Sequence, residues 1–251
     1  MNDIMITRLP DLDCYRFARS QIPERLIALK QLILKYKHGW VLSYFFIYII
    51  WFYALERHIT TDYTPVHIWL DDYIPFNEWF VIPYYLWFLF IFATVAYFFL
   101  TSKEDFYKVT AFLFIGMTIC LIIYTIWPNG QNLRPDLSEI GRDNVFIRIV
   151  NALYSTDTST NVCPSIHVFN SIGANIAIHR SEALKKYRWL RAGSTILTIL
   201  ISLSTMFLKQ HSAFDAITAI ALSVIMYFLV YGISDSRQSE KVKDKKVVAN
   251  Y

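Results

Sequence analysis

Six blocks of apolar residues constrain this chain more than any other feature. Each is near the ~20 residues that an α-helix needs to cross a hydrocarbon core. They cover about residues 39–55, 79–100, 109–127, 164–179, 192–208 and 214–233. Of the 251 residues, 55% are hydrophobic and only 18% charged, which is too apolar for a soluble domain of this length. The expected fold class is therefore all-α: a polytopic membrane protein built as a six-transmembrane-helix bundle. Ahead of it, residues 21–37 place Ile22, Leu26, Leu29, Ile33 and Tyr36 at helical spacing, with Lys30, Lys35 and Lys37 toward the end. This reads as an amphipathic helix lying on a membrane surface, with an ordinary packed helix as the alternative. The resulting division is a cytoplasmic N-terminal segment (1–38), a membrane domain (39–233) and a basic cytoplasmic tail (234–251).

The basic residues set the expected orientation. With the N-terminus inside, the inner segments 1–38, 101–108, 179–191 and 234–251 hold 19 of the 24 Lys/Arg but only 10 of the 20 Asp/Glu. That asymmetry is the positive-inside signature, and six spans then put both termini in the cytoplasm. A plasma (inner) membrane is the expected location. The formal net charge of +4 is modest, and no nucleic-acid partner is expected. Cys14, Cys120 and Cys163 are odd in number and scattered, so neither a zinc site nor a disulfide framework is suggested. No short apolar core with a cleavage site precedes the first long block, so no signal peptide is expected. Cys163 reads as a small packing residue.

Two outer loops are long. The first, about 56–78, carries Asp71-Asp72, which reads as part of a solvated acidic loop rather than a cation site. The second, about 128–163, contains Arg134-Pro135 and an amphipathic run, 145–154, before it enters Asn161-Val-Cys-Pro-Ser-Ile-His-Val-Phe-Asn-Ser171. Pro164 suits the first turn of a helix. Ser165 and His167 would then lie at the helix mouth, where free N–H groups and the positive end of the dipole favour an anion. His167, Ser171, Asn175 and Ile178 continue as a stripe at helical spacing, which makes the fourth block short and polar. The bland alternative is a helix cap followed by a polar packing seam.

The fifth and sixth blocks meet at Ser204-Thr-Met-Phe-Leu-Lys-Gln-His-Ser-Ala-Phe-Asp215. His211 and Asp215 are four apart and stack on one face of a helix. A carboxylate beside an imidazole fixes its tautomer and favours its charged form. Thr198, Ser202, Thr205 and Lys209 form one polar face of the fifth block. A structural His–Asp bond with a snorkelling lysine is the alternative. By the charge count Arg134, Ser165, His167, Lys209, His211 and Asp215 all fall on the outer side. Together they offer donors for phosphate oxygens, a nucleophile and an acid for a leaving group.

On these residues the chain resembles the type 2 phosphatidate phosphatase superfamily, whose members share three ordered motifs. Arg134-Pro135 matches the end of the first, Pro164-Ser-Ile-His167 the second with Ile166 for its glycine, and His211 with Asp215 the third. The likeness covers about residues 105–232. Trp127 stands where the first motif has lysine, and Thr205 where the third has arginine; Lys209, on the face of Thr205, is the candidate replacement for one of these cations, and Gln131 offers a neutral donor. The spelling Tyr154…Asp157…Asn161…Pro164-Ser-Ile-His167-Val is more similar to the branch that includes inositol phosphorylceramide synthases.

The resemblance implies a metal-independent enzyme without a cofactor, acting on a lipid phosphate in the bilayer from the extracytoplasmic face. His211 would attack phosphorus, Asp215 orient it, and His167 protonate the departing alcohol. Arg134, Ser165 and Lys209 would hold the phosphate oxygens. Hydrolysis is the leading expectation and transfer of a phospho-headgroup between lipids the next. A non-catalytic phospholipid-binding or transport protein is the reading from a different class.

Overall fold

The computed structural model describes residues 24–59 and 61–232. The expectations for residues 1–23, Cys14 and Ile22 among them, and for the basic tail lie outside these. The chain divides into two units, Met1–Trp40 and Val41–Tyr251. In the first, helix α1 spans Glu24–Tyr36, and a 3-10 segment, Lys37–Ser43, follows it.

The second unit is a helical bundle. Its long helices are α2 (Tyr44–His58), α4 (Val81–Thr101), α5 (Lys103–Ile126), α7 (Ile166–Arg180), α8 (Arg188–Phe207) and α9 (Ala213–Tyr227), with short α3 (Leu70–Tyr73) and α6 (Val145–Thr156) between them. A π turn, Phe228–Gly232, continues α9. Five helical stretches are long and apolar enough to cross a membrane: Leu26–His58, Glu78–Thr101, Lys103–Ile126, Arg188–Phe207 and Ala213–Gly232. Phe46, Ile50 and Phe92 are at least 70% exposed on them, an exterior suited to lipid rather than water. The expected sixth span falls short, because α7 has only 15 residues.

The position of α7 explains its composition. It packs against α4, α5, α8 and α9, so little of it faces outward. Its polar stripe is turned to α8. Ser194 and Thr195 donate to Asn175 Oδ1 at 2.7 and 3.2 Å, and Thr198 donates to the Ser171 carbonyl at 3.2 Å. Polar side chains bonded across a helix pair are tolerated where lipid cannot reach them.

Against α5 the packing is steric. Gly116 receives Phe169 and Gly173 receives Phe112, and the two rings stack at 5.0 Å. A Cβ on Gly116 would lie 1.9 Å from Phe169 Cζ, and this ring is fully buried. Gly116→Ala is expected to lower stability by about 1–3 kcal/mol through overpacking. The check is the melting temperature of the detergent-solubilised protein beside Gly193→Ala, where an added Cβ meets nothing.

The connections 59–80, 127–165 and 208–212 all lie at one end of the bundle. A two-strand parallel pair, β1 (Thr64–Pro65) with β2 (Asn129–Gly130), ties the first two, and a bridge from Gly130 to Thr160 closes the layer. Helix α6 begins on Asn144, whose Oδ1 accepts from the Phe146 and Ile147 N–H groups. Its apolar face, Val150 and Leu153, is buried with Val81, Tyr84 and Leu208 at the ends of α4 and α8.

Candidate functional site

Two chain reversals bring the histidines together. At the first, Pro164 precedes the helix rather than opening it: the Cys163–Pro164 peptide is cis, and α7 starts at Ile166 with Ser165 as its N-cap. Ser165 is fully buried, and its Oγ accepts from the Val168 N–H at 3.4 Å. The Ile166 and His167 amides belong to the first turn and so have no acceptor within the helix. Asn129, also fully buried, holds the approach to this turn. Its Oδ1 accepts from the Val162 and Cys163 amides at 3.0 and 2.8 Å, and its Nδ2 donates to the Cys163 carbonyl.

At the second reversal α8 ends at Phe207, and Lys209 adopts a left-handed φ of 53°. His211 therefore precedes α9 instead of sharing its face with Asp215. The two still meet, because Ser212 and Asp215 form a capping box. Asp215 Oδ2 accepts from the Ser212 amide at 3.0 Å and faces His211 Nδ1 at 3.2 Å. The Ser165 amide donates to the Asp215 carbonyl at 3.1 Å, which locks the mouth of α7 to the first turn of α9.

The tautomer of His211 follows from its second partner. Nδ1 lies 3.0 Å from the Val162 carbonyl oxygen, which can only accept. Nδ1 therefore carries the proton, and the lone pair of the neutral ring sits on Nε2. The His167 ring is 5.7 Å from that of His211, centroid to centroid, and nearly edge-on to it. Tyr84 and Trp87 of α4 flank His167 at 4.7 and 4.4 Å. His211 is 7% exposed and Asp215 fully buried.

Arg134 lies beside this group but is heavily engaged. Nη1 donates to the Tyr154 and Asp157 carbonyls, and Nη2 to Thr158 O and Gln210 Oε1. The guanidinium also lies 4.6 Å from the Tyr154 ring. Burial lowers the Arg134 pKa, and the nearby Asp157 carboxylate opposes that shift. Burial likewise raises the pKa of Asp157, while Arg134 draws it back. The Tyr84 hydroxyl donates to Asp157 at 3.1 Å. Lys209 is turned toward the first loop, with Nζ donating to the Asp71 carbonyl at 2.9 Å. Burial lowers its pKa against the charges of Asp71 and Asp72.

Gln131 donates to the Lys209 carbonyl at 2.8 Å, and its Oε1 accepts from the Leu133 amide. The Cys163 thiol, pushed up to about 12 by burial, is a poor nucleophile, in keeping with a packing role.

The structure thus brings Ser165, His167, His211 and Asp215 together and joins Arg134 to them through Gln210. Lys209 is tied to Asp71 instead. That contact exposes a misreading, because the Asp71-Asp72 pair is not uniformly solvated. Asp72 is exposed and faces His67. Asp71 is 2% exposed, and its carboxylate accepts from Ser212 Oγ, the Ala213 amide and the Ile68 amide.

Asp71, Asn129 and Gln210 are the residues that sequence reasoning missed. An open cleft of about 720 Å³ lies between the 135–143 loop and α6, lined by Arg142, Arg148, Asn151 and Tyr154 among others, but by neither histidine. Comparison of the chain with models of protein families, with curated proteins and with solved structures found no match.

Proposed function

We propose that the protein is an integral-membrane lipid phosphatase that works through a phosphohistidine on His211. The observation that carries this reading is the double hold on His211 Nδ1, which leaves the Nε2 lone pair beside a second histidine. The Nε2 lone pair forms the P–N bond as the ester P–O bond breaks, and His167 gives its proton to the departing alkoxide. Neutral His167 then takes a proton from water, whose oxygen bonds to phosphorus as the P–N bond breaks. Phosphate leaves, and His211 is restored. The charge of the bound phosphate is what holds a proton on His167. Ser165 and the first-turn amides of α7 receive phosphate oxygens. Arg134 supplies the positive field, while Lys209 is held by the Asp71 carbonyl.

In this reading α7 is the fourth of six spans, enclosed by its neighbours. The basic-residue asymmetry favours cytoplasmic termini and a site on the outer side. The test is phosphate release by the detergent-purified protein from a panel of lipid phosphates, with labelled enzyme trapped by alkaline quench. Label on the peptide containing His211, lost in acid, is expected; turnover with no labelled histidine would overturn the mechanism.

A second reading, headgroup transfer between lipids, is favoured by the engagement of the cations. All four terminal N–H groups of Arg134 are taken by protein oxygens, and Lys209 is tied to Asp71. A phosphodiester carries less charge than a phosphomonoester and asks less of such a site. Product formation that requires an added hydroxyl-bearing lipid distinguishes transfer from hydrolysis.

Asp215→Asn separates two roles of the carboxylate. Where a carboxylate alone fixes a catalytic tautomer, its amide costs about 10⁴-fold. Here the Val162 carbonyl holds Nδ1–H independently, so only the charge is lost. The expected fall in turnover is about 10²-fold, measured at saturating substrate.

A further inference from the structure

Two cations of the related motifs are absent here, at Trp127 and Thr205, and the structure contains unused donors near the histidines. Gln210 is 2% exposed and directly precedes His211. Its Oε1 accepts from Arg134 Nη2, while its Nε2 has no hydrogen-bond partner among the described residues. The amide cannot be turned over, because Nε2 would then face the guanidinium, donor against donor. Arg134 therefore fixes which end of Gln210 is left over.

Two more buried donors share this condition: Arg134 Nε and Trp87 Nε1. Trp87 is the residue whose ring lies 4.4 Å from His167. A buried donor without an acceptor is costly, and here three sit on residues linked to the histidines: Gln210 by sequence, Arg134 through Gln210, and Trp87 by ring contact with His167, a pattern that an oxyanion would complete.

We propose that Gln210 is a phosphate-binding residue of this site, giving an N–H to a phosphoryl oxygen while Arg134 orients it, with Trp87 Nε1 as a second neutral donor. This rests on the phosphoryl-transfer reading above. Neutral donors then stand where related motifs carry charge. Arg134 acts partly as a positioning residue, through the side chain that it aims.

The test uses orthovanadate, a phosphoryl mimic, as the probe, with binding measured by tryptophan fluorescence of the full chain in detergent and turnover measured in parallel. Gln210→Glu keeps an acceptor for Arg134 and removes the donor. Gln210→Met removes both. If Gln210 donates to the anion, both variants are expected to bind orthovanadate about 10-fold or more weakly, with melting temperatures for Gln210→Glu near that of the parent. Because the carboxylate of Gln210→Glu also repels the anion, the deciding comparison is Gln210→Met in an Arg134→Met background: if Gln210 serves only to anchor Arg134, Gln210→Met costs no further binding there, which overturns the proposal while the phosphatase reading stands. Parental protein that binds no orthovanadate overturns both. Gln210-dependent binding without turnover of any lipid phosphate or phosphodiester supports the anion site and overturns the enzyme.

Discussion

His211→Ala is expected to lower phosphate release from a lipid substrate by about 10⁴-fold or more, with membrane insertion and melting temperature close to those of the parent. The size follows from the place of the side chain in the chemistry. In the proposed mechanism Nε2 bonds phosphorus, so its removal leaves water to attack directly, with only the pocket's electrostatics to help. The fold has little at stake in the ring. The capping box that starts α9 is made by Ser212 and Asp215, and the His211 amide bonds to the Thr205 carbonyl whatever the side chain. The Val162 carbonyl and Asp215 Oδ2 each lose one partner, but the cavity is small and polar enough to admit water. Free imidazole added to the variant is a further check, since a diffusible nucleophile of the same shape should recover part of the turnover. Parental activity in His211→Ala would refute the assignment. His167→Ala tests the other role: a substrate with a very good leaving group, such as a nitrophenyl ester, should suffer far less than a lipid alkoxide, because it departs without a proton.

The bundle was largely legible because long apolar helices announce themselves through block length. Five of the six apolar blocks correspond to helices long enough to span. The weakest block became the central helix, because the polar side chain of Asn175 is bonded to Ser194 and Thr195 of α8 and the Ser171 carbonyl accepts from Thr198. Histidine, serine and carboxylate could be placed on one end of the bundle from charge asymmetry and spacing alone.

What sequence did not reveal is long-range and non-periodic. Asn129 organises amides 33 and 34 residues away, and Gln210 meets Arg134 across 76. Neither contact leaves a local pattern. Spacing also misplaced His211 on the helix of Asp215: four residues apart is a helical signature, but a capping box brings the same two residues together across a helix start. Asp71 and Asp72 illustrate the same limit, because adjacent identical residues in a loop carry no sign of which one turns inward.

That last pair supports the second large expectation. Asp71→Ala is expected to lower stability by about 3–5 kcal/mol, whereas Asp72→Ala should change it by no more than about 0.5 kcal/mol. Asp71 is a buried carboxylate at the N-terminus of α9, where backbone donors and the helix dipole favour an anion. Its Oδ1 accepts from the Ala213 amide at 2.7 Å, and its Oδ2 from Ser212 Oγ at 2.6 Å and the Ile68 amide at 2.9 Å. Its backbone carbonyl holds Lys209. Truncation strands two donors of α9 in a dry interior and removes the side-chain tie between the first long loop and the start of α9, leaving the Lys209 bond to the backbone carbonyl. Because Ser212 follows His211 directly, the loss should reach the proposed nucleophile, so turnover falls together with melting temperature. Asp71→Asn retains the shape but turns an NH₂ toward one of three donors, and should lie between the two. Asp72 makes a single exposed pair with His67, and such pairs contribute little in water. Thermal unfolding of the three variants in one detergent measures the contrast. Equal, small shifts for Asp71→Ala and Asp72→Ala would restore the reading of both as a solvated acidic loop and remove Asp71 from the account of how His211 is held.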